Sequence, residues 1–366
     1  MCDVPALRFP EFTDEWMPKT INDLATVLGG GTPDTTIKSY WDGNIQWFTP
    51  SEIGKSKYVS LSSRTITEDG LNNSSAKLLP SYTILLSSRA TVGECSITLH
   101  ECATNQGFQS LIAKNCDIDF LYYLIQTKKK DLIRKACGST FLEISANEVR
   151  KIRTNVPSNT EQKKIGALLS LIDKRIETQN KIIEKLETLI KGIIETVISS
   201  QKPNTLIKNC LECNSSTLQE SQVAENGNFP VYGATGISGY TETADINGES
   251  ILIIKDGSGV GTVKFVTGEY SYIGTLNSLT VKDGYCLKYI YFALQGFSFE
   301  PYKTGMAIPH IYFKDYGKAK IYSPPYKLQT IISQQLTYIE SKIDVEKRIL
   351  SNLARQKSYL LSQMFI

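Results

Sequence analysis

"PSNTEQKKIGALLSLIDKRIETQNKIIEKLETLIKG", Pro157 to Gly192, decides the fold. Its apolar residues Ile165, Leu169, Ile172, Ile176, Ile183, Leu186 and Ile190, continued by Ile193 and Val197, alternate spacings of four and three. That is the seam of a coiled coil. Gln179 is the one polar interruption, and Ser158-Asn159-Thr160-Glu161 is a capping-box pattern at the start. A helix of about 40 residues is about 60 Å long at 1.5 Å per residue.

Slid against itself by 167 positions, the chain matches residues 138–199 to 305–366 without a gap. Gly138/Gly305, Ile144/Ile311, Pro157/Pro324, Gln162/Gln329 and Ile165/Ile332 are among the identical pairs. The second copy carries its own seam, Ile332, Leu336, Ile339, Ile343, Leu350, Leu353, Leu360 and Met364, with Glu346 at the place of Gln179 and Lys357 at that of Ile190. Two long seams in one chain predict that the helices pair with each other, antiparallel. Apolar residues beside the seams (Leu168, Ile182, Leu189, Ile194, Ile349, Leu361) leave surface for partner helices or for packing on the globular parts.

Upstream the repeat is weaker. With one residue inserted, "LLSSRATVGECSI" (from Leu85) lies against "LIIKDGSGVGTVKF" (from Leu252), and "FQSLI" (from Phe108) meets "LNSLT" (from Leu276). Short β-like segments separated by Gly, Asn, Asp and Ser turns fill both upstream parts, with one amphipathic helix in each. The expected fold class is α+β: two mixed α/β domains separated by two long antiparallel coiled-coil helices, with an internal pseudo-two-fold repeat.

"SPPY" (Ser323 to Tyr326) offers an alternative, a DNA amino-methyltransferase whose polar residue and proline carbonyl hold a flipped base. The repeat argues against it. Ser323-Pro324-Pro325 falls on Val156-Pro157-Ser158, just before a helix, where proline fits the first turn and Ser323 can cap. Neither "LGGGTP" (Leu28 to Pro33) nor "KDGSGVGTVKF" (Lys255 to Phe265) leads from a strand into a helix, as a nucleotide cradle requires. No catalytic residue is assigned.

At 366 residues the chain is long enough for two domains with proper cores. No apolar run approaches a bilayer span and the first residues lack a secretion pattern, so a cytoplasmic protein without membrane contact is expected. The eight cysteines then read as reduced thiols. Cys210 and Cys213 form the one C-x-x-C, and a zinc site needs a second ligand pair; no metal is expected.

The net charge of +3 neither proves nor excludes a nucleic-acid partner, so local clustering decides. Ten basic residues against four acidic ones run from Lys128 to Lys164, including Lys128, Lys129 and Lys130, and Lys303 begins a matching basic region in the second copy. Polar loops supply candidate DNA-binding residues: Thr49, Ser51, Ser87, Arg89, Thr91 and Gln106 in the first part, and Lys255, Ser258, Asn277 and His310 in the second. Arginine suits guanine N7/O6, and Asn or Gln suits adenine N6/N7.

Over nearly its whole length the chain resembles the DNA-specificity (S) subunits of type I restriction–modification systems. The resemblance rests on "PALRFPEFTDEW" (Pro5 to Trp16), "NIQWFTPSEI" (Asn44 to Ile53), "TNQGFQSLI" (Thr104 to Ile112), the opening stretch with Glu161-Gln162 and Ile172-Asp173, and "GNFPVYGATGISGY" (Gly227 to Tyr240). Leu328 for Glu161 and Glu340 for Asp173 make the second helix the less typical. The resemblance implies a non-catalytic reader of double-stranded DNA. Residues 1–157 would be the first target-recognition domain, 158–202 the first conserved helix, 203–325 the second such domain and 326–366 the second helix. Each domain would read one half of a bipartite gapped target. The seam residues would pair the helices and dock two methylation subunits, which bind S-adenosylmethionine. Restriction subunits would add ATP- and Mg-dependent chemistry, and this chain would hold no cofactor.

Overall fold

The computed structural model describes residues 4–138 and 142–366. Two compact units divide the chain: Met1–Gln179 with Ile349–Ile366, and Asn180–Arg348. The first long helix, Asn159–Ile193, and the second, Tyr326–Gln363, thus each contribute a part to both units.

In the first unit a five-stranded sheet has the order Ala25–Gly29, Gln109–Ala113, Ile84–Leu86, Cys95–Thr98, Tyr58–Val59. A three-stranded sheet (Arg64–Ile66, Trp41–Phe48, Cys102–Thr104) stands beside it. The second unit has one six-stranded sheet: Leu211–Ser215, Leu276–Val281, Ile246–Ile254, Val263–Tyr272, Phe229–Gly233, Gly236–Thr241.

Strand register makes the duplication explicit. Gly29 pairs with Gln109 as Ser215 pairs with Asn277, and Ile84 with Leu111 as Ile251 with Leu279. Ile84 faces Ile97 as Ile251 faces Phe265, which places the one-residue insertion between these strands. Thr20 opposite Arg153 matches Leu206 opposite Lys320 in the short strand pair that leads to each long helix.

The five-stranded and the six-stranded sheet are each braced by one amphipathic helix, Ile118–Thr127 and Leu287–Gln295, and a buried glutamine ties this brace to the long helix. Gln162 Oε1 accepts from the Asp117 N–H at 3.0 Å while its Nε2 donates to Pro157 O at 2.9 Å. Gln329 accepts from the Cys286 N–H at 2.9 Å and donates to Pro324 O at 2.8 Å. Both glutamines satisfy main-chain groups that would otherwise be buried without partners. One turn along the brace, the Tyr123 hydroxyl donates to Asp173 at 2.6 Å and the Tyr291 hydroxyl to Glu340 at 3.2 Å, so the Asp-to-Glu change preserves the contact.

The helices run antiparallel in each unit. In the first, Ile165 and Leu169 share one core with Leu360, Leu361, Met364 and Phe365, and the Phe365 ring stacks on Phe120 at 5.2 Å. Lys357 pairs with Asp173 at 2.7 Å. In the second, Lys347 pairs with Glu187 at 2.8 Å. Of the seam residues named above all but Val197 are buried or half-buried, whereas Leu171, Leu189, Tyr338 and Val345 stand exposed beside them. The fold is therefore two mixed α/β domains with two long helices that pack together.

At the second helix start the expected cap is corrected. Pro325, at the place of Ser158, accepts the first helical bonds through its carbonyl, and the Ser323 hydroxyl accepts from Gln329 Nε2 instead. The proline carbonyl that an amino-methyltransferase would turn toward a base is buried on Gln329 here, as Pro157 O is on Gln162. Ser-Pro-Pro-Tyr is a helix start.

Candidate nucleic-acid interface

Four loops of the first unit meet at one place. The Asn105 N–H donates to Phe48 O at 3.1 Å, the Ser88 N–H to Gly107 O at 2.8 Å and the Gly31 N–H to Thr104 O at 2.8 Å. A Cβ at Gly30 would lie 2.1 Å from Asn105 O, so the glycine stretch serves close backbone approach. The Trp47 indole N–H donates to Gly31 O at 2.9 Å, and the Arg64 guanidinium lies over Trp41 at 3.5 Å.

Thr49, Ser51, Arg89, Thr91 and Gln106 share this cluster. Thr49 begins a short turn whose Glu52 accepts from the Thr49 N–H at 2.7 Å and the Ser63 N–H at 2.6 Å. Burial pushes the Glu52 carboxyl up, but these donors outweigh it and hold the group below the usual carboxylate range. The exposed Gln106 accepts from Thr32 Oγ1. Ser87 is wholly buried and positions its neighbours, donating to Arg89 O at 2.9 Å and contacting Thr91 Oγ1 at 3.0 Å.

Arg89 Nε is 2.9 Å from Glu143 Oε1, and both side chains are close to half exposed. The next residue, Ala90, has φ 56°, a left-handed conformation that costs an alanine strain. Lys129 pairs with Glu94 at the edge of the same loop, and Lys130 is exposed. Lys128 lies apart from them: its ammonium donates to Ile366 O at 2.8 Å, and burial pulls its pKa down.

In the second unit Lys255, Ser258, Lys303 and His310 lie on two loops joined by hydrogen bonds. The Gly257 N–H donates to Pro309 O at 2.9 Å, and Asp256 bridges His310. Lys255 pairs with Asp256 at 3.0 Å, Lys303 pairs with Glu300, and His310 Nδ1 is 3.2 Å from Ile308 O. Asn277 is buried in the sheet below, where its Oδ1 accepts from Ser215 Oγ at 2.9 Å.

Reasoning from sequence missed Glu143, Glu52 and the tryptophan-stacked Arg64. Glu143 could have been found, because the 167-residue offset sets it on His310. Burial pushes the Cys210 and Cys213 thiols up to about 11. The cysteines from Cys95 to Cys286 are free thiols, and Cys2 lies outside the described residues. Among the described residues no group of three or more His, Cys, Asp and Glu side chains could hold a metal ion, and no helix is long and apolar enough to cross a membrane.

The family described as "Type I restriction modification DNA specificity domain" matches residues 13–188 and again 209–355. The type I restriction enzyme MjaIX specificity subunit of Methanocaldococcus jannaschii is 39% identical over 180 residues, covering 47% of this chain and 42% of that one. The EcoR124I/EcoR124II specificity subunit of Escherichia coli is 28% identical over 188 residues, covering 49% and 45%. These two matches span less than half of either relative. The EcoprrI specificity subunit of Escherichia coli is 22% identical over 392 residues, covering 96% of this chain and 94% of its own. The crystal structure of the type I restriction–modification S subunit from M. genitalium superposes with a TM-score of 0.67 at 18% identity, covering 99% of both chains. With matches to both of its copies, the chain belongs to the type I restriction–modification DNA specificity domain family.

Proposed function

We propose that this chain is the non-catalytic DNA-reading subunit of a type I restriction–modification complex. The observation that carries the reading is the repeated head-plus-helix unit, matched by the family in both copies, with a cluster of polar loops on the first head and a corresponding loop pair on the second. Residues 1–157 and 203–325 act as the target-recognition domains, and residues 158–202 and 326–366 as the helices between them. Each head reads one half of a gapped double-stranded target. Thr49, Ser51, Arg89, Thr91 and Gln106 face the first half-site; Lys255, Ser258, Lys303 and His310 face the second. Ser87 and Asn277 support from below, and Lys129 and Lys130 add phosphate contacts.

Two methylation subunits dock on the apolar residues left exposed beside the seams, and they hold S-adenosylmethionine. Restriction subunits, with ATP and Mg, complete the complex. Expression with the cognate methylation subunit, followed by genome-wide mapping of methylated bases, tests the reading. One motif of two parts separated by a fixed gap is expected. A contiguous motif, or methyl transfer by the isolated chain, overturns it.

A further inference from the structure

One loop frame occurs in both heads with the same hydrogen bonds and different chemistry. The Cys137 and Glu143 main chains exchange a pair of bonds, each 2.9 Å, and Thr304 and His310 exchange the equivalent pair at 2.9 and 2.8 Å. The Ile144 N–H donates to Ser88 O at 3.0 Å, as the Ile311 N–H does to Lys255 O at 2.9 Å. Arg89 bridges Glu143 where Asp256 bridges His310. The backbone is left-handed at Ala90 (φ 56°) and at Gly257 (φ 89°), then again at Gly93 (φ 89°) and Gly261 (φ 91°).

The anchoring side chains agree: Ile144 and Ile311 are both buried. The residues at the mouth do not. In the first copy an arginine is paired with the carboxylate across the bridge; in the second the bridge joins a histidine to an aspartate whose carboxylate pairs with Lys255 at 3.0 Å.

A duplicated chain separates two kinds of task. Where frame and side chain are both kept, as at Gln162 and Gln329, the two copies do the same work. Where the hydrogen bonds of the frame are kept while partly exposed side chains change charge, the copies do one kind of work on different objects. For two DNA-reading heads, what differs is the bases. We propose that the bridged residues are base-reading elements, that Arg89 held by Glu143 reads a guanine in the first half-site, and that Asp256 reads a donor-bearing base, cytosine or adenine, at the corresponding step of the second. This rests on the DNA-reading role proposed above. Arginine presents the planar donor pair that matches guanine O6 and N7, and an ionised carboxylate can only accept. The Glu143 carboxylate, 2.9 Å from Nε, restrains the guanidinium, and the terminal nitrogens are the donors that would meet the base.

The test uses the full chain with its methylation subunit and maps methylated bases for wild type, Arg89→Ala and Asp256→Ala. Arg89→Ala is expected to lower discrimination at a single guanine of one half-site by about tenfold or more. That position then becomes degenerate while the other half and the gap are unchanged. Asp256→Ala is expected to do the same in the other half only. A gapped motif that neither variant alters, or that either alters in both halves, overturns the inference and leaves the DNA-reading role standing. A wild-type complex without a gapped motif overturns that role and the inference together. If Arg89→Ala abolishes methylation everywhere, Arg89→Met decides, because it keeps the length of the side chain and loses every donor. Methylation with the guanine position degenerate supports the assignment; methylation with the original motif, or none, overturns it.

Discussion

The two heads differ most where the chain enters them. In the first, Arg8 makes a bidentate pair with Glu161, 2.8 Å to each oxygen, and the Glu161 side chain is 1% exposed. The Leu7 N–H donates to Gln363 O at 2.9 Å, so the segment before the first strand is held by both long helices. In the second head the same helical position is Leu328, 42% exposed. The segment leading into that head, which follows directly from the first helix, carries no arginine to meet a carboxylate. The departure at Leu328 therefore follows from what precedes each copy, and the Gln162 and Gln329 clamps beneath are untouched by it. Side chains kept in both copies mark the shared frame; side chains that changed mark what each copy meets on its own.

The strongest way to break this comparison is to remove one partner of the first-head pair. Arg8→Ala leaves a buried carboxylate without its counter-charge, and a loss of about 3 kcal/mol is expected, at the lower end for buried pairs because Arg8 is partly exposed. The double variant Arg8→Leu/Glu161→Leu, which copies the residue of the second head, should recover most of that loss. Urea unfolding of the three proteins measures it. A single variant as stable as wild type would mean that the pair is incidental.

The clamps should instead give matching effects. Gln162→Leu and Gln329→Leu each strand a partly buried N–H and a buried carbonyl, and each is expected to cost its own head about 2 kcal/mol. Hydrogen exchange at Asp117 and Cys286 reads the two heads separately. An effect in one head only would show that the repeat is geometric without being energetic.

How much of this was legible beforehand follows from the distance over which each contact acts. Helical spacing is local, so the seams could be read directly, and the 167-residue offset carried the pairing and the pseudo-symmetry with them. The Arg8–Glu161 pair joins residues 153 apart and no periodicity marks it. Likewise nothing in the seam pattern announces that Phe365 enters the core of the first head. In the candidate interface, residue type gave chemistry without burial. Ser87 and Asn277 are polar and so stand among the candidate loop residues, yet both lie inside, satisfied by neighbours that only the folded chain supplies. Arg89 could be singled out from sequence, whereas its partner Glu143 lies 54 residues on, past the brace and its basic stretch.

A smaller difference is expected at the brace hydroxyls. Tyr123→Phe removes a 2.6 Å bond to Asp173 and should cost about 1.5 kcal/mol; Tyr291→Phe removes a 3.2 Å bond to Glu340 and should cost less than half of that. Thermal unfolding of the two variants compares them. Equal losses would mean that the longer glutamate serves as well as the aspartate.

The smallest expected effect carries the opposite sign. Ala90 holds φ 56° at an exposed loop tip where the second copy has Gly257 at φ 89°. The left-handed region costs an L-residue about 1 kcal/mol or more, and glycine gives part of that back through the greater entropy of its unfolded chain. Ala90→Gly should therefore stabilise the first head by about 0.5 kcal/mol, read as a rise in the urea midpoint without a change in slope. Gly257→Ala should destabilise the second head by a similar amount, because it imposes the same strain there. If both substitutions destabilise, the methyl group of Ala90 makes a favourable contact that Gly257 never had, and the two loops share a backbone path without sharing its energetics.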